Sequence, residues 1–161
     1  MTDEALRVIG LIADTHGLVR PDVQTALAGV ELIIHAGDVG GDEVFTELDL
    51  IAPVVAVRGN TDPPSHPRLP VAVELEIGGL RVHVSHGHEL GAPTPDKLFA
   101  RYTTDVIVFG HTHRPVVVNV ASRWAINPGA AGPRRFDILP SVGRMTIRGG
   151  QVEVEIVDLR I

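Results

Sequence analysis

The chain has 161 residues, 14 basic against 20 acidic, a net charge of −6 and no cysteine. That length suffices for one domain, residues 1–161, to bury a core unaided. The missing thiol excludes disulfides, thiolate zinc sites and cysteine nucleophiles, and the acidic balance excludes general nucleic-acid binding, which needs a basic face. The first six residues carry two acids and no signal-peptide pattern, and no apolar stretch approaches the roughly 20 residues that cross a bilayer. The expectation is a soluble cytoplasmic protein with no membrane partner. Lys97 is the only lysine, against thirteen arginines, a bias that reads as base composition of the genome rather than heat adaptation.

Residues 8–13 form a β run that ends on Asp14-Thr15-His16. A helix is predicted over 21–28, with Pro21 near its first turn. A second β run, 31–35, leads through His35-Ala36-Gly37 to Asp38. A short helix near 42–50 comes next, and then a third run, 54–57, ending on Arg58-Gly59-Asn60. Strands alternating with helices imply β-α-β units and a parallel sheet.

The pattern then changes. Runs 71–77 and 80–85 flank Gly78-Gly79, a hairpin signal, and the second run ends on His86-Gly87-His88. A helix near 95–101 leads to a strand over 105–109 that ends on Gly110-His111-Thr112-His113. The tail holds runs at 116–120, 124–126, 141–147 and 152–159, short, β-branched and separated by turn residues. These read as an antiparallel sheet. The sum is an α/β protein with two sheets packed face to face and helices outside them. The longest irregular stretches, 87–95 and 127–140, are where function tends to sit.

Five of the apolar runs thus end on residues that bind metals. Ligands of open α/β sheets sit beyond the carboxyl ends of the strands, so the fold brings the five clusters to one rim. Asp14, His16, Asp38, Asn60, His86, His111 and His113 supply two carboxylates, one amide and four imidazoles. That is a full complement for two adjacent divalent ions, with no sulfur to favour soft metals. A lone D-x-H, G-D or G-N is mostly a turn signal; their joint order, each after a strand, is the specific signal. Asp38 stands alone after its strand and is the candidate bridge. Asn60 is a neutral oxygen ligand that limits negative charge. Two dications against two aspartates and one hydroxide leave the pocket net positive, which suits a single phosphate group.

At these residues the sequence resembles the calcineurin-like metallophosphoesterase superfamily, whose signature reads D-x-H, G-D, G-N-H-[DE], H-G or G-H, then G-H-x-H. The match runs from Asp14 to His113. The short length, and Ile126-Asn127-Pro128-Gly129-Ala130, are similar to its small bacterial and archaeal phosphodiesterases. The resemblance implies a four-layer αββα sandwich and two divalent ions, Mn2+ first, with Ni2+, Fe2+ or Zn2+ as the others. It places Asp14, His16, Asp38 and His113 on one ion and Asp38, Asn60, His86 and His111 on the other. The implied activity is hydrolysis of small organic phosphodiesters by a metal-bridging hydroxide, with Asp38, Asn60 and His86 as the catalytic set. A small-molecule phosphodiester is the implied partner, and a homo-oligomer is compatible with the chain.

The departure is at Thr61, where the family has a histidine that stabilises the transition state or protonates the leaving oxygen. Threonine is no general acid near neutral pH, so a contribution of about 10²–10⁴-fold is missing or relocated. His66 and Asp62 are the nearest replacements; His66 reads as a loop residue between prolines and Asp62 as an orienting group. Arg58, Thr61 and His88 are the substrate-facing candidates. Arg134 and Arg135 read as solvated surface, His83 as a strand residue and Trp124 as packing. His35 reads equally as a group orienting Asp38 or as a satisfied strand-end histidine. The rivals are a phosphomonoesterase or cyclic-nucleotide phosphodiesterase, and a non-catalytic interaction module similar to the retromer scaffold subunit. That subunit's metal shell is degraded, whereas all seven ligand positions are filled here. A metallo-β-lactamase-type hydrolase needs an early H-x-H-x-D-H, which is absent.

Overall fold

The computed structural model describes residues 5–135 and 137–159, so the first four positions of the chain's leading segment lie outside the described residues. In β1 (Arg7–Ile12) the residues 9–12 are all buried, as a strand covered on both faces requires. β1 pairs in parallel with β2 (Leu32–His35), and β2 with β3 (Val54–Ala56). The crossovers carry α1 (Asp22–Ala26) and α2 (Asp42–Leu48). On its other side β1 pairs antiparallel with β9 (Ser141–Arg148), which turns through Gly149-Gly150 into β10 (Gln151–Asp158). The first sheet therefore runs β10-β9-β1-β2-β3.

The second sheet starts with the predicted hairpin, β4 (Ala72–Ile77) and β5 (Leu80–Ser85), whose register closes at Ile77 opposite Leu80. Both turn glycines have positive φ, 56° and 83°, as a two-residue turn that matches strand twist demands. α3 (Pro95–Arg101) begins where Thr94 caps the Lys97 N–H and proline occupies the first turn. β6 (Val106–Val108) lies parallel to β5, β8 (Arg123–Asn127) parallel to β6, and β7 (Val116–Val120) antiparallel to β8.

Three apolar layers hold this together. Ile9, Leu11 and Met145 meet Val82, Val84 and Val108 between the sheets. Val23, Leu27, Val44, Phe45 and Leu48 pack α1 and α2 on the outer face of the first sheet. Leu98 packs α3 with Ile107, Phe109 and Ala125 on the outer face of the second. The result is the four-layer αββα arrangement.

One expectation is corrected. The four tail runs do not share one antiparallel sheet: they form two hairpins, one joining each sheet, and β8 is parallel to β6. Period-two patterning marks a strand without naming its neighbour. The first two helices are also shorter than predicted, because 27–30 fold into a turn closed by Val30 N–H to Leu27 O at 3.4 Å, and Asp49 to Ala52 do the same after α2. No described helix is long and apolar enough to cross a membrane.

Candidate metal centre

The loops after β1, β2, β3, β5 and β6 meet at one end of the sandwich, stitched to one another through their backbones. Asp14 N–H donates to Gly37 O at 3.0 Å, His16 N–H to Asp38 O at 3.0 Å and Gly17 N–H to Val39 O at 2.8 Å. Gly110 N–H donates to His86 O at 3.0 Å. Among the described non-glycine residues, positive φ occurs at Asp14, His16, Asp38, His111, His113 and Ala121. All but the last are predicted ligands. Each such residue costs about 1–2 kcal/mol and persists only where its surroundings over-determine it. Here that backbone turns side chains two apart toward one point. The motif glycines make room: a Cβ on Gly59 would overlap Asp38 Oδ1, and one on Gly110 would lie 2.9 Å from Asp14 Oδ2.

Asp14, Asp38 and His86 form a buried floor. Asp14 Oδ2 accepts from His111 N–H at 3.1 Å. Its Oδ1 has no hydrogen-bond partner and lies 3.4 Å from His113 Nε2, 3.7 Å from His86 Nε2 and 3.9 Å from His16 Nε2. Asp38 Oδ1 accepts from both the Thr61 N–H, at 2.9 Å, and the Thr61 hydroxyl, at 2.8 Å. That leaves Oδ2 facing His86 Nε2 at 3.2 Å and His16 Nε2 at 3.7 Å. His86 donates from Nδ1 to Ala36 O at 2.8 Å, so Nε2 presents its lone pair to the centre, buried and without a hydrogen bond. His16 and His113 bring their Nε2 atoms within 3.4 Å of each other. On the open side His111 Nδ1 lies 3.2 Å from Asn60 Oδ1.

Two tight groups result, Asp14 with His16 and His113, and Asp14 with Asp38 and His86. They share Asp14, and the candidate bridge Asp38 also reaches both sides through Oδ2. A buried carboxylate oxygen and a buried imidazole nitrogen without partners are costly. A divalent cation fits both, and the oxygen and nitrogen donors suit a borderline or hard one.

The charges agree. Burial alone would raise the Asp38 carboxyl, yet contact with His86 and the two Thr61 donors outweigh it and hold Asp38 well below the usual carboxylate range. Burial would lower His86, but the Asp38 contact and the Asp14 and Asp38 charges together raise it. Burial, with help from the His86 charge, lowers His111.

The residues behind the centre were partly missed. Gly37 N–H donates to His35 Nδ1 at 3.1 Å, so His35 Nε2–H meets Thr15 Oγ1 at 2.9 Å and that hydroxyl donates to Val39 O at 2.7 Å. His35 is thus satisfied and neutral, with burial holding it at about 4, and it ties the Asp14 loop to the Asp38 loop. The middle residue of D-x-H carried no sequence signal for this role. Asp62 accepts from Val39, Gly40 and Gly59 N–H at 3.1, 3.1 and 2.9 Å, an orienting role read from its motif. Asn127 donates to Gly110 O and Thr112 Oγ1, both at 3.1 Å, and so clasps the last histidine loop.

Of the substrate-facing candidates, only His88 joins the imidazoles, its ring 5.4 Å from His86 and 6.2 Å from His111. Thr61 is committed to Asp38, and Arg58 donates to Pro64 O at 3.3 Å. His66 pairs with Asp42 at 2.5 Å and is not drawn into the cluster. His83 stacks on Tyr102 at 3.7 Å, a structural contact.

Residues 8–150 match the family model for the calcineurin-like phosphoesterase superfamily domain. A probable metallophosphoesterase of Methanothermobacter thermautotrophicus is 35% identical over 161 residues, covering 93% of this chain and 91% of that protein. A phosphodiesterase of Methanocaldococcus jannaschii is 29% identical over 139 residues, 75% of this chain and 82% of that one. The crystal structure of a Vps29 single mutant from Entamoeba histolytica has the same fold, with a TM-score of 0.79 at 22% identity, covering 95% of this chain and 99% of that one. The chain belongs to the calcineurin-like phosphoesterase superfamily and is a metallophosphoesterase.

Proposed function

We propose that the protein hydrolyses small organic phosphodiesters at a dinuclear centre, with Mn2+ as the first metal to test. The carrying observation is the convergence of Asp14 Oδ1, Asp38 Oδ2 and His86 Nε2 with the His16 and His113 Nε2 atoms. Asp14, His16, Asp38 and His113 would hold one cation, and Asp38, Asn60, His86 and His111 the other. Two such cations supply an activated water and neutralise the phosphoryl oxygens during in-line attack.

The chain's own residues set the rest. Thr61 and Asp62 fix Asp38 and the loops around it, so the floor keeps its shape through turnover. Arg58 is turned to the Pro64 carbonyl, so it adds no cation to the phosphate site, which favours a monoanionic diester over a dianionic monoester. Thr61 cannot protonate a leaving alkoxide, and His111 is held toward its neutral form. Rates will therefore climb steeply with leaving-group acidity.

The test is to strip the protein of metal, restore Mn2+ and compare bis(p-nitrophenyl) phosphate with p-nitrophenyl phosphate. Metal-restored cleavage, faster on the diester, supports the proposal. Two bound metals with neither ester cleaved would overturn it in favour of an interaction role.

A further inference from the structure

Arginines in this chain are mostly committed. Arg7, Arg68 and Arg81 pair with carboxylates, and Arg20, Arg58, Arg123 and Arg144 donate to carbonyls. Arg101 lies over the Tyr102 ring. Among the described residues Arg114, Arg134, Arg135 and Arg148 have no such partner for the side chain. Three of those four stand beside His113. Arg114 comes directly after it and is exposed. Arg134 and Arg135 line one small recess with it. The nearest acid in that loop, Asp137, pairs with neither of them.

The recess is anchored to the metal centre. Ala131 N–H donates to Ala13 O at 3.0 Å and Gly132 N–H to Asp14 O at 3.3 Å. Arg20 clamps Gly132 O at 2.9 Å, and a Cβ on Gly132 would overlap Thr15 O. Arg134 lies two residues on, at most about 7 Å of chain from a residue bonded to Asp14. The side chain of His113 is only 9% exposed and its Nδ1 has no hydrogen-bond partner. Uncompensated guanidinium groups on an acidic protein, carried by a loop bonded to the Asp14 loop, match a phosphate in shape and charge.

Resting on the phosphodiesterase proposal, the geometry points to a subsite at Arg134 and Arg135 for a second phosphate carried on one arm of the diester. The substrate class is then a phosphodiester with a further terminal phosphate, held with its scissile group over the floor and its extra dianion on the arginine pair. This also reconciles an acidic protein with a polyanionic substrate, since the positive charge is confined to one edge of the site.

The test uses Mn2+-loaded protein and two probes with one leaving group, thymidine 5′-(p-nitrophenyl phosphate) and its 3′-phosphorylated form. The 3′-phosphate should raise kcat/KM about tenfold, mainly through KM. The R134A/R135A double variant should lose that gain while keeping the plain diester within about twofold. Equal rates for the two probes in the wild type, or a preference that survives the double substitution, overturns the subsite and leaves the diesterase standing. If neither probe is cleaved, the diesterase fails separately. The subsite is then read by calorimetric binding of thymidine 3′,5′-bisphosphate: about tenfold weaker binding in the variant supports it, and equal binding overturns it.

Discussion

Asp14, Asp38 and His86 are buried to the last few per cent, whereas Asn60 and Thr61 stand open to solvent and His88 and His111 half-open on the same centre. Around the floor residues nearly every atom not aimed at the centre has a fixed partner from another loop. The rim is held by fewer bonds. Burial strengthens each charge interaction several-fold over its value in water, so the floor is suited to holding cations and the rim to admitting substrates of varied shape.

His86→Gln gives the largest effect expected from this contrast. With the buried lone pair gone, kcat/KM for bis(p-nitrophenyl) phosphate should fall by about 10³-fold, corresponding to several kcal/mol of metal-derived stabilisation. Metal stoichiometry by elemental analysis should fall with it. An equal loss from Asn60→Ala, on the rim, would break the distinction.

Next is pH. Burial holds His35 at about 4 against an ordinary 6.5. Between those values the unfolded chain binds a proton that the folded chain refuses, so stability is complete above about pH 6.5 and declines as pH falls toward 4. The full loss is about 3 kcal/mol. Chelator-treated His35→Gln protein should show a correspondingly flatter denaturation midpoint against pH. Parallel profiles for the two proteins would show that His35 plays no part in the acid sensitivity.

Asp62→Ala tests the support beneath the floor. It frees three backbone N–H groups in the Asp38 and Asn60 loops and should weaken Mn2+ affinity by about 10–100-fold, with Asp62→Asn recovering part of the loss. Unchanged titrations would show that the loops hold Asp38 without it. Thr61→Val is the mildest. It removes one hydroxyl from Asp38 and keeps the backbone donor, for about a fivefold loss in kcat/KM, which Thr61→Ser should restore. A change near 10³-fold would mean that Thr61 belongs to the floor after all.

The candidate ligand positions could be read from the chain because parallel strands deliver the residues at their carboxyl ends to one edge, and five apolar runs ended on residues able to donate to a metal. Two of the hairpins were equally visible, marked by Gly78-Gly79 and Gly149-Gly150, as was the helix over 95–101. The hidden features depend on contacts between distant segments. Spacing does not show that His111 N–H takes up Asp14 Oδ2 and so turns the other oxygen inward. Nor does it show that the Thr61 hydroxyl folds back on Asp38. The sharing of tail strands between sheets was lost for the same reason: Arg7 pairs with Ile147, and no local pattern encodes that.

That pairing also sets the order in which the molecule can be completed during synthesis. All seven candidate donors have been made by His113, yet β1, which carries the Asp14 loop, still lacks its second neighbour until β9 has emerged. Until then the first sheet has an open edge at its middle, and Ala131 and Gly132 have only just arrived to bond Ala13 and Asp14. Such long-range closure is intrinsically slow. A chain stalled on the ribosome before β9 would carry its candidate donors on a sheet whose β1 edge is still unpaired.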